Sequence, residues 1–297
     1  MRALITGGRG FVGGHLTSHL TSHGDDVSVT DLEVDVTNFD QVLAAFEASQ
    51  PEVVYHLAGL AHVGDSWGNP ASLLSVNVVG TGVVLAAARA LRNPPKVLVI
   101  SSAEVYGKVT PEDLPLTEFS PVHPASPYAA SKAAAELVAI QAAEGFGQDV
   151  VVVRPFNHIG PGQSPAFAVS AFAQRIVQAE RLGSTSLIVG NLSSRRDFTD
   201  VRDVVAAYRL LGLSGVAGTV YNVCSGIDRS MEDVVTSLLE RSEVDGDLVV
   251  DPALLRPVDV PVLLGSAQRL FQATGWTPTV AFSQTLDDVL ASWRLAP

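Results

Sequence analysis

The 297-residue chain has very little cysteine, and this shortage excludes two kinds of site. Cys224 is its only cysteine, so no disulfide can form within the chain and no cysteine-based zinc cluster can be built. It ends the apolar run from Val220 to Cys224. We therefore expect Cys224 to be a buried strand residue rather than a nucleophile, and we expect no metal site.

Long hydrophobic runs are also missing. The chain contains no stretch of about 20 uninterrupted apolar residues, the length that a membrane-spanning helix requires. Met1 to Ile5 predicts a strand rather than the start of a signal peptide. We therefore expect a cytoplasmic protein with no membrane partner.

Positive charge is scarce as well. The chain has 19 lysines and arginines against 31 aspartates and glutamates, a net charge of -12, and Arg195-Arg196 is the only local basic cluster that we identify. Such an acidic protein repels nucleic acids and anionic membranes. We therefore expect no nucleic-acid partner, and any anionic ligand must be bound by local contacts.

The composition that remains is typical of a compact globular enzyme, with 47% apolar and 17% charged residues. Apolar strands alternate with helical segments through the first half, which predicts a doubly wound α/β fold of the Rossmann type with a parallel sheet. We expect residues 1–157 to form the dinucleotide-binding domain, with 198–224 returning to it. Residues 158–197 and 225–297 then form a smaller substrate-binding lobe.

A glycine-rich turn follows the first predicted strand. Gly7, Gly10 and Gly13 occupy a G-x-x-G-x-x-G pattern at the start of a helix, where missing side chains let the backbone approach a pyrophosphate. The second strand ends at Asp31, the position from which a carboxylate reaches a ribose hydroxyl. This arrangement predicts a dinucleotide site.

Further candidates lie in the same turn or at the carboxyl ends of later strands, where ligands bind in parallel sheets. His56, in the third strand, fits a satisfied core residue better than a metal ligand or a general base. The remaining cofactor-binding candidates are Arg9, Phe11, Val12, Asp35, Val36, Leu57, Ala58, Gly59, Asn77, Ser101, Arg154 and Pro155.

Tyr128 and Lys132 are spaced one helical turn apart at the start of an apolar helix. Alone, this common spacing favours a surface tyrosine and a solvated lysine over a catalytic pair. A tyrosine loses its proton near pH 10 unless a cation stabilises the phenolate, and Lys132 is placed to be that cation. With Ser102 as a hydroxyl donor, the set suits proton transfer to an alcohol or carbonyl oxygen beside a nicotinamide.

The chain resembles the extended short-chain dehydrogenase/reductase family, whose members act on nucleotide-diphosphate sugars. The resemblance rests on the glycine turn, Asp35-Val36, His56 to Gly59, Asn77, Ser102 to Gly107, Tyr128 with Lys132, and Arg154-Pro155. In the second half, Arg154 to Gln163, Gly190 to Leu192, Arg196 to Asp203, Tyr221 to Gly226 and Leu255 to Pro257 resemble the GDP-6-deoxy-D-mannose reductases within that family.

This resemblance implies reduction of a 4-keto-6-deoxyhexose carried on a nucleoside diphosphate, with GDP as the expected nucleotide. It places Asn157 near the sugar or diphosphate and Asn191 near the nucleotide. It also places Arg196 and Arg256 near the pyrophosphate, which suits the planar fork of arginine. For Arg195, surface ion pairing is the more fitting role.

Three alternatives stay open. A 4,6-dehydratase of this family uses an acidic pair after the Ser/Thr; here the pair is Ala103-Glu104, which disfavours dehydration while keeping Glu104 as a catalytic candidate. A 4-epimerase needs the same Ser-Tyr-Lys set. A nucleotide-binding sensor without turnover is expected to have lost Tyr128 or Lys132.

The cofactor is NAD or NADP. Asp31 would repel a 2′-phosphate and favours NAD, whereas Arg9 would reach that phosphate and favours NADP; the balance leans slightly to NAD.

The family also implies a homodimer through helices near residues 70–91 and 125–147, both rich in apolar residues.

Overall fold

The computed structural model describes residues 1–61, 65–183, 186–244, 247–251 and 260–296. Twelve strands lie within these ranges, and most of them follow predicted apolar runs. The strands are β1 Arg2–Thr6, β2 Asp26–Thr30, β3 Val53–His56, β4 Lys96–Ile100, β5 Val150–Pro155, β6 Asn157–Ile159, β7 Ser186–Val189, β8 Arg195–Asp200, β9 Val220–Val223, β10 Asp228–Ser230, β11 Asp247–Val250 and β12 Val262–Leu263.

Ten α-helices lie in the same part of the chain. A π-helical segment, Leu74–Val79, joins the third helix to the fourth, and short 3₁₀ turns lie at Asp65–Trp67, Ala103–Tyr106 and Pro111–Asp113. The helices are α1 Phe11–Ser22, α2 Phe39–Ser49, α3 Pro70–Leu73, α4 Gly80–Ala90, α5 Pro127–Phe146, α6 Ala168–Leu182, α7 Val201–Ser214, α8 Met231–Leu239, α9 Gln268–Thr274 and α10 Phe282–Leu295.

A six-stranded parallel sheet with the order β2-β1-β3-β4-β5-β9 forms the centre of the fold. Alternate residues of each strand face opposite sides: Ile5 packs on α1 and α7, whereas Leu4 packs on α2, α4 and α5. Both faces are therefore covered, which is why the strands are almost wholly apolar. The predicted doubly wound Rossmann-type fold is confirmed.

The second half contributes smaller sheets. Strands β10, β8 and β12 pair in that order, β6 pairs with β8, and β11 pairs with β7. A separate apolar core joins α6, α8 and α10 to these strands. β8 lies in this second sheet along its whole length, and the return to the first sheet is made by α7 and β9. The predicted domain boundaries remain a prediction.

The helical segment Pro70–Ala90 is long and apolar enough, by length and composition alone, to cross a membrane. Core helices pass the same test, and Val84, Leu85 and Ala88 of this segment are buried against the central sheet. The expectations of a cytoplasmic location and of no membrane partner stay predictions.

Candidate active site

A single cavity of about 1230 Å³ runs from the glycine turn, across the carboxyl ends of the central strands, to α6 and β8. It brings together most of the residues selected from the sequence. These are Gly7, Arg9, Gly10, Phe11, Val12, Gly13, Asp31, Asp35, Val36, Leu57, Ala58, Gly59, Ser101, Ser102, Glu104, Tyr128, Lys132, Pro155, Asn157, Asn191 and Arg196.

The glycine turn packs too tightly for side chains. Gly7 has φ +70°, and a Cβ built on it would lie 2.8 Å from the backbone of Ala58; a Cβ on Gly13 would lie 2.6 Å from Gly8. Helix α1 then begins after Gly10 without a side-chain cap. Its first backbone N–H groups remain available to an anion, so the turn fits the pyrophosphate of a dinucleotide.

The end of β2 forms a small acidic cluster around the glycine turn. The Arg9 backbone N–H donates to Asp31 Oδ2 at 2.8 Å, and Arg9 Nη1 donates to Glu33 Oε2 at 3.1 Å. The Asp31 N–H donates to Glu33 Oε1 at 2.9 Å. Glu33, which sequence reasoning missed, therefore pairs with the guanidinium expected to favour a 2′-phosphate.

Ser102 and Tyr128 line the same cavity. Ser126 caps the helix by accepting from Ala129 N at 3.1 Å, with Pro127 in the first turn, and this helix start fixes Tyr128 facing the end of β4. Burial raises the pKa of Tyr128 to about 12; the nearby Ser102 hydroxyl acts against burial, and the charge of Glu104 adds to it. Tyr128 is therefore protonated at neutral pH.

Lys132 lies one turn further along α5 and is half-buried against the end of β4. Its Nζ donates to the Ile100 carbonyl at 2.8 Å, and a Cβ on Gly59 would lie 3.5 Å from that Nζ. Burial lowers the pKa of Lys132 to about 8, and Glu136 acts in the opposite direction. The expected lowering of the Tyr128 pKa by Lys132 is not found, because burial dominates the Tyr128 pKa.

Two cofactor candidates do not line the cavity. Arg154 forms a buried ion pair with Glu136, and its Nη1 donates to the Tyr106 hydroxyl at 3.0 Å. Asn77 Nδ2 donates to the Leu60 carbonyl at 3.1 Å and to Ser131 Oγ at 2.9 Å. Arg154 therefore links the side chains of Glu136 and Tyr106, whereas Asn77 holds the Leu60 backbone.

His56 is a satisfied core residue. Nδ1 and Nε2 lie 2.8 Å from Thr6 Oγ1 and 3.2 Å from Thr81 Oγ1. Burial, with a smaller contribution from Lys132, lowers the pKa of His56 to about 3. Cys224 is likewise buried. Within the described ranges, no group of three His, Cys, Asp or Glu side chains is placed to hold a metal ion.

The second-half candidates line the far end of the cavity. Arg196 is buried and donates through Nη1 to the Val260 carbonyl at 2.7 Å. Arg195 forms an ion pair with Asp228, in keeping with its expected role at the surface. Arg256 lies outside the described residues.

Several cavity residues were absent from the sequence-derived set: His158, Gln163, Phe172 and Arg175. The sequence could have indicated His158 and Gln163 as site candidates, because both belong to the segment from Arg154 to Gln163 that carries the family resemblance. Phe172 and Arg175 lie inside an amphipathic helix, where the sequence does not separate a cavity face from a core face.

A family model described as GDP-mannose 4,6 dehydratase, of the short-chain dehydrogenase/reductase type, matches residues 28–289. The chain belongs to this family. GDP-6-deoxy-D-mannose reductase from Pseudomonas aeruginosa is 37% identical over 296 residues, covering 99% of this chain and 97% of that protein. The predicted membership is therefore confirmed.

Solved structures agree with this placement. The structure of RMD from Pseudomonas aeruginosa complexed with NADPH has a TM-score of 0.92 and 36% identity, with 99% of each chain covered. The UDP-glucose 4-epimerase of Thermus thermophilus in complex with NAD has a TM-score of 0.90 and 30% identity, with 100% of each chain covered. The likeness extends over both halves of the fold.

Proposed function

We propose that the protein reduces the 4-keto group of a nucleotide-diphosphate-linked 4-keto-6-deoxyhexose with a nicotinamide cofactor. The best candidate reaction converts GDP-4-keto-6-deoxy-D-mannose to GDP-D-rhamnose. The observation that carries this proposal is that Ser102, Lys132 and the protonated Tyr128 line one cavity together with the glycine turn and residues of the second half. Similarity to a GDP-6-deoxy-D-mannose reductase supports the choice of substrate.

The cofactor, when bound, supplies a hydride to the carbonyl carbon of the sugar. Charge then develops on the carbonyl oxygen. Ser102 donates a hydrogen bond to that oxygen, and Tyr128 transfers its phenolic proton to it, which completes the alcohol. The raised pKa of Tyr128 suits this direction, because the group is fully protonated before the step.

Lys132 supports the same step electrostatically. Proton loss leaves a phenolate on Tyr128, and the buried ammonium one turn away stabilises that charge. Solvent then returns one proton to Tyr128, so each turnover consumes one hydride and one proton. The ammonium of Lys132 is held at the carboxyl end of β4 by its hydrogen bond to the Ile100 carbonyl.

The cofactor assignment leans to NAD. Asp31 lines the cavity after the end of β2, a position from which a carboxylate can accept from a ribose hydroxyl. Glu33 pairs with the Arg9 guanidinium, which would otherwise be available to a 2′-phosphate. One similar structure contains NADPH and another contains NAD. The acidic surroundings of Arg9 are therefore the local feature that supports NAD in this chain.

We propose that residues 158–197 and 225–297 form the nucleotide-sugar lobe. Asn157, Asn191 and Arg196 lie on the cavity wall that this region shares with the central sheet. Arginine and asparagine there suit a diphosphate and a nucleoside.

We further propose a homodimer, because the surface of α5 and the Leu74–Val79 segment carries exposed apolar side chains.

A panel of substrates tests the proposal. Purified protein is mixed with GDP- and dTDP-linked 4-keto-6-deoxy sugars and either NADH or NADPH, and the product is identified by NMR. Tyr128→Phe should remove nearly all turnover while cofactor binding stays intact, because it deletes only the transferable proton. Full activity in that variant, or no cofactor oxidation with any sugar, contradicts the reductase assignment.

A 4-epimerase is the second candidate, supported by the similar fold of the Thermus thermophilus enzyme. It uses the same three side chains but returns the hydride to the sugar. Incubation with UDP-glucose or GDP-mannose then gives an epimer without net cofactor oxidation. A dehydratase instead requires the cavity carboxylate of Glu104 and releases water from a sugar that carries no keto group.

A further inference from the structure

His158 lies where the two halves of the cavity meet. It is the middle residue of β6 and lines the cavity beside Asn157. Its ring is parallel to that of Phe11 in the glycine turn, with 6.3 Å between centroids and 2° between planes. The side chain therefore faces both the proposed cofactor end and the proposed sugar end.

The hydrogen bonds of His158 determine which of its nitrogen atoms carries the proton. Nδ1 lies 3.0 Å from the Phe156 carbonyl, and a carbonyl oxygen only accepts, so Nδ1 carries a hydrogen. Burial lowers the pKa of His158, which keeps the ring neutral. Gln163 holds the backbone by donating to the His158 carbonyl at 2.9 Å. Nε2 is then a lone-pair acceptor in a fixed orientation.

Nε2 has no hydrogen-bond partner among the described residues, and it is not among their buried unpartnered side-chain atoms. It is therefore accessible to a molecule in the cavity that the residue lines. A neutral acceptor cannot bind a phosphate oxygen, because neither group would supply a hydrogen. It can bind a hydroxyl group.

We propose that Nε2 of His158 accepts a hydrogen bond from a hydroxyl group of the bound ligand and thereby positions it between the two halves of the cavity. This inference rests on the proposed function, since both a cofactor ribose and a nucleotide sugar present such hydroxyls. The contact belongs to binding, so His158 is a positioning residue and takes no part in proton transfer.

Binding titrations with NADH, GDP and GDP-mannose test this contact without requiring turnover. The variants are His158→Phe, which keeps a flat ring beside Phe11 but has no acceptor, and His158→Gln, which keeps an acceptor. A net hydrogen bond of about 1 kcal/mol corresponds to roughly a fivefold loss of affinity. The Phe variant should show such a loss for at least one ligand, and the Gln variant should stay near wild type.

Comparison of the ligands identifies the hydroxyl. Weaker binding of GDP-mannose with unchanged GDP places the contact on the sugar, equal losses for GDP and GDP-mannose place it on the nucleoside ribose, and weaker NADH places it on the cofactor. Unchanged affinities in the Phe variant, or equal losses in both variants, overturn the proposal.

Melting curves establish that each variant is folded, and His158→Leu, which also lacks an acceptor, replaces the Phe variant should that one unfold. Failure of the wild type to bind GDP and GDP-mannose while binding NADH would count against the proposed substrate. It would leave the His158 contact to be decided by the NADH titration alone.

Discussion

The guanidinium of Arg154 and the carboxylate of Glu136 form a bidentate ion pair in the interior, with Nε–Oε1 at 2.9 Å and Nη2–Oε2 at 2.7 Å. Both side chains are at most 5% exposed. Ser101 donates to the same carboxylate. The pair therefore joins the helix of Tyr128 and Lys132 to the ends of β4 and β5.

Arg154→Met should destabilise the fold strongly. It leaves the Glu136 carboxylate buried without its cation, and breaking one side of a buried pair costs about 3–5 kcal/mol. Denaturant unfolding of the variant and the wild type measures this difference.

The double variant Arg154→Met/Glu136→Met is the matched control. It removes both charges, so it should recover part of the lost free energy of unfolding. NADH binding to this variant should match the wild type if Arg154 only braces the fold. Equal stability of the single variant and the wild type would contradict the structural role of the ion pair. A loss of NADH affinity in the folded double variant would instead support direct cofactor contact by Arg154.

The central sheet was predictable because β1, β3, β4 and β5 are buried on both faces, which gives each of them a short apolar run in the sequence. The edge strand β2 is less buried and mixes polar with apolar residues. β8 was not predictable for the opposite reason: Arg195 to Asp200 reads as a polar stretch. Asp197 is fully buried there, and its carboxylate accepts hydrogen bonds from Ser225 and from the Gly226 backbone. The hydrogen-bond partners of the Asp197 carboxylate are distant in the sequence, so the sequence alone does not reveal that this charge can be buried.

The sequence predicts candidate-site residues correctly where local helix or turn geometry alone determines the position of a side chain. Tyr128 and Lys132 share a helix face, and Gly7 to Gly13 form one turn. Arg154 does not line the cavity, because the residue at a strand end can face either the cavity or the neighbouring helix. The raised pKa of Tyr128 was also missed, since burial is a property of the whole fold.

Reductase activity should decline as the pH rises through about 8. The Lys132 ammonium is charged below its pKa of about 8 and neutral above it, while Tyr128 keeps its proton because its pKa is about 12. Loss of the cation removes the stabilisation of the phenolate. We therefore expect kcat to fall roughly tenfold for each pH unit above about 8.

The Lys132→Arg variant identifies the group responsible. An arginine stays charged over this range, so its residual kcat should show no decline near pH 8. If kcat of the variant declines near pH 8 as it does in the wild type, the decline must be assigned to another titrating group.

Cofactor preference should depend on the contact between Arg9 and Glu33. We expect wild type to use NADH with the higher kcat/KM, since Asp31 and Glu33 both repel a 2′-phosphate. Glu33→Gln releases the Arg9 guanidinium and should improve kcat/KM for NADPH about tenfold, with little change for NADH. Arg9→Ala in the same background should cancel that gain. A strong wild-type preference for NADPH that is lost in Arg9→Ala would overturn the assignment to NAD.

The exposed apolar surface on α5 and the preceding π-helical segment should be buried between two copies of the chain. Leu137 is 69% exposed on α5, and Val79 is 54% exposed on the adjacent segment, whereas dimer interfaces bury such side chains. Leu137→Glu should convert a dimer to a monomer in sedimentation experiments without unfolding it, because the substituted position is on the surface. Leu295→Glu is the control, since this leucine is 87% exposed, more than Leu137, and lies at the end of α10. A monomeric wild type, or the same effect from both substitutions, would contradict this interface.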